Sequence, residues 1–430
     1  MSRPAVHSRA TILVLALTML ATLIVVAPPV SASGPPEAVR FATFNASLNR
    51  NNAGQALSDL SSPGNAKTSA VAEIIQRTRP EVLLINEFDY VDGPVDGNAM
   101  TDAFQDNYLG IGHGGADPIT YPYVFVAPSN TGIPSGFDLS NDGVVGGPND
   151  AHGFGFFPGQ FGMVVLSMHP IDYEAVRTFQ LFKWVDMPGA LLPDDPATTE
   201  PADWYSEEEL TDPDHGFRLS SKSHWDVPVS IGGSTVHFLV SHPTPPVFDD
   251  PPAFPAGVDF NGRRNFDEIR FWADYVTPGR GGYIYDDTGG RGGLKPGERF
   301  VIAGDQNSDP LDGDSIPGSA QLLLDHPRVN ATVTPSSEGA VEASALQGGA
   351  NASHLSDPRF DTADFADGAP GNLRADYVLP SRSLRIVDAG VFWPVQADPL
   401  FRLTGVFPFP SSDHRLVWVD VMVPGSTRGR

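Results

Sequence analysis

Short apolar runs alternate with polar segments rich in Gly, Pro and Asp along this chain. Runs of four to eight residues that are bounded by turn residues are typical of buried strands. We therefore predict strands at 39–44, 81–85, 121–126, 161–166, 236–240, 300–303, 375–379 and 416–421.

Two longer segments have helical rather than strand periodicity. In 67–78, Val71, Ile74 and Ile75 fall on one face, and in 264–276 the same spacing places Ile269 and Trp272 together. The helices and strands mix along the chain, and none of the long loops separates two apolar segments as an interdomain linker would. The pattern predicts a single domain that contains both helices and strands.

The N-terminus has the pattern of a secretory signal. Arg3 and Arg9 precede an uncharged apolar run at 11–27, and small residues follow up to Ala32. An uncleaved membrane anchor is the alternative, but the break at Pro28 and the small residues favour cleavage after Ala32. The predicted organisation is a signal peptide at 1–32, a single domain with long insertions at 37–424 and a frayed tail at 425–430, in a secreted protein.

Composition narrows the chemistry. The 430 residues include no Cys, so the sequence excludes a disulfide framework, thiol nucleophiles and thiolate metal sites. Any metal must bind oxygen and nitrogen ligands. The 52 acidic and 27 basic residues give a net charge of −25, which argues against a broad basic face for long nucleic acids but does not exclude a small phosphate ester.

Polar residues that bear oxygen or imidazole follow several predicted strands. The run at 300–303 ends at Gly304, and Asp305 and Asn307 come directly after it. Each such junction has a simple alternative interpretation as a turn, because Asn and Asp are common turn residues. Their number and order are more informative: the six junctions are at Asn45, at Asn86 and Glu87, at Ser241 and His242, at Asp305 and Asn307, at Asp376, and at Ser412, Asp413 and His414.

The joint order of these junctions resembles the endonuclease/exonuclease/phosphatase superfamily, which includes enzymes similar to pancreatic deoxyribonuclease, neutral sphingomyelinases and inositol polyphosphate phosphatases. The resemblance extends over 39–423, and its most specific parts are Gly-Asp-Gln-Asn at 304–307 and Ser-Asp-His at 412–414. It implies an α/β fold, a four-layer α-β-β-α sandwich of two packed mixed sheets with helices outside. The site would lie where the strand ends of both sheets meet.

The resemblance also implies a metal site. Glu87 matches the main metal ligand of the family, Asn45 matches a neighbouring amide ligand, and Asp413 matches an acid on the metal side. Oxygen ligands completed by water suit Mg²⁺ or Mn²⁺, with Ca²⁺ as a further candidate.

The remaining matched positions imply catalytic roles. Asp305 matches the residue that orients or deprotonates the attacking water, and Asn307 matches the amide that binds a phosphoryl oxygen. His414 matches the histidine that contacts the scissile phosphate, and Asp376 matches the acid that orients His414 and raises its pKa. His242 matches a second histidine that assists the leaving group, although a stiff proline-rich turn is the alternative there.

Some residues outside this pattern remain open. Arg264 begins a predicted helix and is a candidate for substrate binding, with an ion pair to Asp267 or Glu268 as the alternative. The basic residues Arg218, Lys222 and His224 form a second patch that is a weaker candidate for substrate contact. Ser47 departs from the nuclease branches of the family, several of which carry an acid two residues after the first Asn.

These observations predict a secreted, metal-dependent phosphoester hydrolase that uses in-line attack of an activated water. The acidic balance favours a phosphodiesterase or phosphatase of small or lipid-derived phosphate esters. An extracellular nuclease, with DNA or RNA as substrate only, is the alternative, and a non-catalytic metal-binding module is a third reading. No stable membrane insertion is expected after removal of the signal, and the sequence does not determine the oligomeric state.

Overall fold

The predicted strands form two mixed sheets that carry the domain. The computed structural model describes residues 1–2, 38–249, 254–255 and 257–424, so the predicted signal peptide and tail lie almost entirely outside the described residues. The chain from Gly34 to Arg430 clusters as one unit. No helix of the described residues has the length and apolar character needed to cross a bilayer.

All eight predicted strands are present, with small shifts of their bounds, and further strands accompany them. The strands are β1 (Ala38–Asn45), β2 (Val82–Asn86), β3 (Tyr123–Phe125), β4 (Met163–Ser167), β5 (Arg177–Thr178), β6 (His224–Ile231), β7 (Ser234–Ser241), β8 (Arg299–Asp305), β9 (Ala363–Asp364), β10 (Asn372–Leu373), β11 (Asp376–Pro380), β12 (Arg385–Val391) and β13 (Val417–Met422).

The sheets have the mixed topology that the resemblance implies. The first has the order β12-β13-β1-β2-β4-β3 and the second has the order β11-β8-β7-β6-β5. The pairs β1–β2 and β7–β8 are parallel, and the other pairs are antiparallel. Strands β9 and β10 form a separate two-stranded ribbon.

Both predicted helices are present, and several shorter ones lie in the insertions. The helices are α1 (Gln55–Leu60), α2 (Ala66–Thr78), α3 (Ala99–Phe104), α4 (Glu207–Thr211), α5 (Phe260–Val276), α6 (Gln321–Leu324), α7 (Glu338–Gln347) and α8 (Phe401–Thr404). Asn65 caps α2 by accepting a hydrogen bond from the Thr68 amide, and Asp259 caps α5 by accepting one from the Gly262 amide.

Alternation along the strands divides the apolar side chains into three cores. Phe41 and Leu84 of the first sheet and Phe238 and Val301 of the second lie in the central core between the sheets. Their neighbours along the strands face the opposite way, because successive side chains of a strand point to opposite faces. Ala42, Phe44 and Leu83 pack with Val71 and Ile75 of α2, and Leu239, Phe300 and Ile302 pack with Ile269 and Trp272 of α5. The fold is the predicted four-layer α-β-β-α sandwich.

Strand β6 was missed by the sequence-based prediction because Asp226 and Pro228 interrupt its apolar character. Asp226 is buried, and it accepts a hydrogen bond from the Tyr275 hydroxyl at 2.6 Å and contacts His237 Nδ1 at 2.7 Å. These tertiary partners offset the cost of burying a carboxylate, and no pattern of the local sequence shows them.

Candidate active site

Six strand ends meet at one edge of the sandwich. The parallel register pairs Asn45 with Asn86, and the antiparallel register pairs Asp305 with Asp376. The buried Asn86 amide links the two sheets there, since Asn86 Oδ1 accepts from the Asp305 amide at 3.2 Å and Nδ2 donates to the Ser241 carbonyl at 3.4 Å. The first and second sheets therefore present their polar ends to a shared site.

Gly304 allows β8 to approach β7 closely at this edge. A Cβ atom at this position would lie 2.0 Å from the Ser241 carbonyl oxygen, and its φ of 147° disfavours any other residue. Steric contact with Ser241 therefore explains why a glycine ends the apolar run of the sequence at this position. It brings Asp305 next to the residues that end the neighbouring strand.

One carboxylate oxygen lies at the centre of the site. Asn45 Nδ2 donates to Asp305 Oδ2 at 3.0 Å, His242 Nε2 lies 3.4 Å from that atom, and His414 Nε2 lies 3.6 Å from it. The side chain of Asp305 is almost fully buried. Three nitrogen-bearing groups from three different strand ends therefore surround a single oxygen, an arrangement that can also bind the oxygens of a phosphoryl group.

His414 and Asp376 form the acid–imidazole pair that the resemblance implies. His414 Nδ1 lies 2.9 Å from Asp376 Oδ2, and Thr362 Oγ1 donates to the same carboxylate oxygen at 2.8 Å. Burial lowers the pKa of His414, but Asp376 and Asp305 outweigh it and hold that pKa well above its ordinary value. Burial raises the pKa of Asp376 to about 6. At neutral pH the histidine therefore carries a proton between two carboxylates.

The same electrostatics make Asp305 a weak base. Burial acts to raise its pKa, but the neighbouring rings of His414 and His242 lower it, and the net pKa lies well below the ordinary range. A carboxylate of this kind accepts hydrogen bonds strongly but takes up a proton reluctantly. The metal-free geometry therefore favours the orienting role of Asp305 over proton abstraction.

His242 is a neutral histidine in this site. Burial lowers its pKa to about 4, and the nearby Lys222 ammonium contributes in the same direction. Its Nδ1 atom is buried and has no hydrogen-bond partner. A neutral imidazole with a free nitrogen can exchange a proton with a bound ligand, which fits the predicted assistance to the leaving group.

Glu87 and Asn307 occupy strained backbone positions. Their φ angles are 58° and 51°, in the left-handed region, which asparagine tolerates but glutamate seldom adopts. Such strain persists only where the surroundings impose it, and it is concentrated at functional sites. The Asn307 amide donates to Asp305 Oδ1 at 2.9 Å, and Asn307 Nδ2 donates to the Pro243 carbonyl at 3.1 Å, so the turn also orients Asp305.

The residues predicted as metal ligands lie together and suit a divalent cation. Asn45 Nδ2 donates to Glu87 Oε1 at 3.2 Å as well as to Asp305, so this amide group provides positive character between two carboxylates. Burial and the adjacent Asp413 carboxylate raise the pKa of Glu87. A hard cation would relieve this repulsion between carboxylates, and rotation of the Asn45 amide would turn its oxygen towards the cation.

A second compact group is less suitable as a metal centre. Atoms of Asp305, Asp376 and His414 all lie within 4.8 Å of one another. Asp376 and Asp305 favour the protonated form of His414, so a cation at this group would have to displace that proton. The ligands that the resemblance implies, Glu87 and Asp413, do not belong to this group.

Arg264, predicted to bind substrate, points away from the cluster. Its guanidinium donates to the main-chain carbonyls of Leu219 at 2.8 Å and Arg218 at 2.9 Å, and also to the carbonyl of His152. The side chain is buried, and its ring contact is with Phe217. Arg264 therefore supports the segment before β6, and this corrects its predicted role.

The second basic patch does not form either. His224 begins β6 and is buried, with its ring nitrogens near Ser220 Oγ at 2.5 Å and the Glu268 carbonyl at 2.9 Å. Arg218 donates to Asn130 Oδ1 at 2.7 Å. Of the three basic residues, Lys222 is attracted by the carboxylates of Glu268, Glu87 and Asp305.

Lys67 is a further basic residue near the predicted metal ligands, and the motif pattern does not include it. Its Nζ donates to Ser47 Oγ at 2.9 Å, and it attracts the carboxylates of Asp413 and Glu87. Lys67 lies near the start of α2. The hydrophobic periodicity predicts a helix at this position but assigns the lysine no role. The sequence signal that could have identified Lys67 is the rarity of lysine, since the whole chain has just four.

Helix α5 connects the segments that carry the predicted catalytic residues His242 and Asp305. Both carboxylate oxygens of the buried Glu268 accept main-chain hydrogen bonds at 2.6 Å, one from Ser221 and one from Thr244. Asn265 Nδ2 donates to the Thr244 carbonyl at 2.8 Å and to the Gln306 carbonyl at 2.9 Å. The polar residues on one face of this helix therefore fix the positions of the loops around His242 and Asp305.

Several solved structures are similar to this chain. An endonuclease/exonuclease/phosphatase from Beutenbergia cavernae is 16% identical, with 90% of this chain and 72% of that chain covered and a TM-score of 0.45. A family protein from Leptotrichia buccalis is 12% identical, with 90% and 100% covered and a TM-score of 0.42. Sphingomyelinase C from Streptomyces griseocarneus is 13% identical, with 89% and 99% covered and a TM-score of 0.39.

No curated protein matches the chain. A family model, in contrast, matches most of the domain, from residue 42 to residue 414, a span that includes every residue of the site described above. The chain therefore belongs to the Endonuclease/Exonuclease/phosphatase family, and it is a hydrolase that acts on phosphate ester bonds.

Proposed function

We propose that this protein is a divalent-metal-dependent hydrolase of small or lipid-derived phosphate esters, and that it cleaves them by in-line attack of water. The convergence of Asn45, His242 and His414 on one oxygen of Asp305 carries the proposal. Donors held in place before substrate arrives suit a reaction in which negative charge must be stabilised on phosphoryl oxygens.

Glu87 and Asp413 would hold the cation, with the Asn45 amide as a neighbouring ligand. The bound cation would neutralise phosphoryl charge and polarise the ester. Mg²⁺ and Mn²⁺ suit this oxygen-rich set, and Ca²⁺ is a further candidate.

Asp305 would orient the attacking water. When phosphoryl oxygens take over the ion pair with His414 and the hydrogen bond from Asn45, Asp305 loses partners that lower its pKa. Its basicity then rises at the stage at which the water must lose a proton. Substrate binding would in this way make Asp305 a better proton acceptor.

The histidines and Asn307 would act on the phosphate itself. The protonated His414 would donate to a phosphoryl oxygen, held in position by Asp376. His242, which is neutral, would exchange a proton at the leaving oxygen through its ring. Asn307 Nδ2 would exchange its bond to the Pro243 carbonyl for a phosphoryl oxygen.

Two observations favour small or lipid-derived esters over nucleic acid. The net charge of −25 opposes long polyanions. Phe154 and Phe156 are 51% and 65% exposed and pack edge to face at 5.5 Å. They follow Gly153, which packs directly against the Ser221 carbonyl next to Lys222.

Export through the N-terminal segment 1–32 is part of the proposal, and the mass of the mature protein from the culture medium would test it.

A substrate panel tests the reaction class. We expect turnover of a phosphodiester or phosphomonoester that EDTA abolishes and that Mg²⁺ or Mn²⁺ restores, because the carboxylates of the site need a cation to receive an anion. Phospholipid, sugar phosphate, inositol phosphate, plasmid DNA and RNA would be assayed in parallel by phosphate or headgroup release. A panel without any chelator-sensitive turnover refutes the proposal, and cleavage of DNA or RNA that weakens steeply with salt would favour the nuclease.

Glu87→Gln should weaken the cation site. The change keeps the side-chain shape but removes one charge from the pair with Asp413, so we expect Mn²⁺ affinity to fall roughly 10–100-fold. Mn²⁺ titration followed by electron paramagnetic resonance measures this directly. Glu81→Gln is the matched control, because Glu81 pairs with His169 elsewhere on the surface. Equal Mn²⁺ affinity in the two variants would rule out Glu87 as the main ligand.

A further inference from the structure

Lys222 is a buried lysine near the predicted catalytic carboxylates, and it lacks an ionic partner among the described residues. Its side chain is about as exposed as that of the catalytic histidine, at 6% for Lys222 and 5% for His414. Its Nζ donates to the main-chain carbonyl of Pro243 at a long 3.5 Å. Within the described residues it forms no ion pair, so a group with three donors is left with one weak bond.

The backbone around Lys222 is firmly held. Its carbonyl accepts a hydrogen bond from the Asn130 amide at 2.8 Å, and the preceding Ser221 amide donates to Glu268 at 2.6 Å. A residue whose main chain is fixed on both sides has a defined direction for its side chain. Burial of the side chain and the contact of Nζ with the Pro243 carbonyl then define where the ammonium lies.

Structural pairing with Glu268 does not account for the lysine. Glu268 is the strongest attraction on Lys222, but both of its carboxylate oxygens already accept main-chain hydrogen bonds. Burying an ammonium is costly unless it is paired, and an apolar side chain of similar length would avoid that cost. Packing and direct pairing therefore do not explain why a lysine stands at this position.

The charged groups around Lys222 indicate which kind of ligand its ammonium would bind. It is attracted by Glu87 and Asp305, and it contributes to the lowered pKa of His242. The main-chain carbonyl that accepts from Lys222 also accepts from Asn307 Nδ2 at 3.1 Å, so the ammonium lies beside the turn that follows Asp305. Burial lowers the pKa of Lys222, while a phosphate dianion beside it would raise that pKa again.

We propose that Lys222 is a substrate-contacting catalytic residue whose ammonium binds a non-bridging phosphoryl oxygen on the side of the site formed by His242 and Pro243. The inference rests on the proposed function, since it requires that a phosphoryl group occupies the site. Lys222 supplies a fixed positive charge to the phosphate from the second sheet, and the metal residues Glu87 and Asp413 lie on the first.

Inorganic phosphate is the direct probe of this contact. We expect Lys222→Met to weaken phosphate binding at least roughly tenfold in calorimetric titrations of the Mg²⁺-loaded protein, because a charge-assisted hydrogen bond is lost. Lys222→Arg should retain part of the affinity. Lys183→Met is the matched control, because Lys183 Nζ also donates to main-chain carbonyls, at 3.1 Å and 2.6 Å, but in a different loop.

A purely structural lysine would give a different result. Lys222→Met would then change the melting temperature and leave phosphate affinity equal to that of Lys183→Met, and this outcome would overturn the proposal. The wild-type protein gives an independent measurement that does not depend on the folding of a variant. With ¹⁵N-labelled lysine, the four Nζ signals can be assigned, and phosphate should shift the Lys222 signal while the Lys183 signal stays in place.

The proposed function and this inference can fail separately. Turnover without chelator sensitivity would refute metal dependence, but it would leave the comparison of phosphate affinities unchanged. A chelator-sensitive enzyme whose Lys222 signal does not respond to phosphate would refute only the role of Lys222. In the kinetics, a direct contact predicts that kcat/KM falls at least roughly tenfold in Lys222→Met and is partly rescued in Lys222→Arg.

Discussion

Asp305→Asn should lower kcat by roughly 10²–10⁴-fold, the effect expected when a group that orients or deprotonates the attacking water is lost. Asparagine keeps the shape of the side chain but not its charge. The nitrogens of Asn45, His242 and His414 now surround a carboxylate oxygen, and a neutral amide cannot provide equivalent acceptance. The water would lose its acceptor, and His414 would lose one of the three acids that raise its pKa.

Steady-state kinetics with a chromogenic phosphodiester would measure this loss, with circular dichroism to verify folding. Asp420→Asn makes the same chemical change at the Arg40 ion pair, which lies 2.7 Å apart and away from the strand ends, and it should leave kcat unchanged. A substantial kcat in Asp305→Asn would show that another group positions the water. The Asp305-centred description of the site would then be wrong.

His414→Gln should lower kcat by roughly 10²–10³-fold, the usual cost of removing one donor that stabilises transition-state charge. The glutamine amide can reach a phosphoryl oxygen but brings no positive charge. His169→Gln is a suitable control, because His169 also pairs with an acid, Glu81 at 2.9 Å, in a position outside the site. Retention of Mn²⁺ binding in His414→Gln would separate the loss of catalysis from the loss of metal, whereas unchanged turnover would exclude a catalytic role for this histidine.

The pH dependence of the rate follows from the pair of Asp376 and His414. Asp376 has a pKa of about 6, raised by burial, so it becomes protonated and loses its hold on His414 as the pH falls through that value. The rate should therefore decline on the acid side near pH 6. His414 keeps its proton well above neutral pH, so the alkaline decline should lie high. Asp376→Asn removes one carboxylate that raises the pKa of His414, and the alkaline limb should move to lower pH.

Local sequence was sufficient for the elements that dominate the fold. The apolar run before Gly304 predicts a buried strand, and the spacing of Val71, Ile74 and Ile75 predicts the inner face of α2, because burial on one or both faces imposes these periods directly. Strand β6 was missed because the burial of Asp226 depends on distant partners, Tyr275 and His237. The hydrophobic pattern does not predict a strand where a tertiary hydrogen bond offsets the cost of burying a polar residue.

The predicted site residues show the same division. Asn45, Glu87, His242, Asp305, Asn307, Asp376, Asp413 and His414 all lie at the shared edge of the sandwich. Arg264 was assigned to the substrate because a helix start with a free guanidinium resembles a phosphate site, but main-chain carbonyls from distant segments occupy its donors. The sequence contains no information about which carbonyls a loop will present.

The sequence by itself determined the chemistry available to this protein: an acidic, cysteine-free chain whose strands end in carboxylates, amides and imidazoles. Only the tertiary structure decided how these groups divide their roles, because pKa values depend on burial and on neighbours that are distant in the chain. Packing of the two sheets makes His414 a cation, His242 neutral and Asp305 a weak base. The same packing buries the Lys222 ammonium beside the Pro243 carbonyl and directs the Arg264 guanidinium to the carbonyls of Leu219 and Arg218.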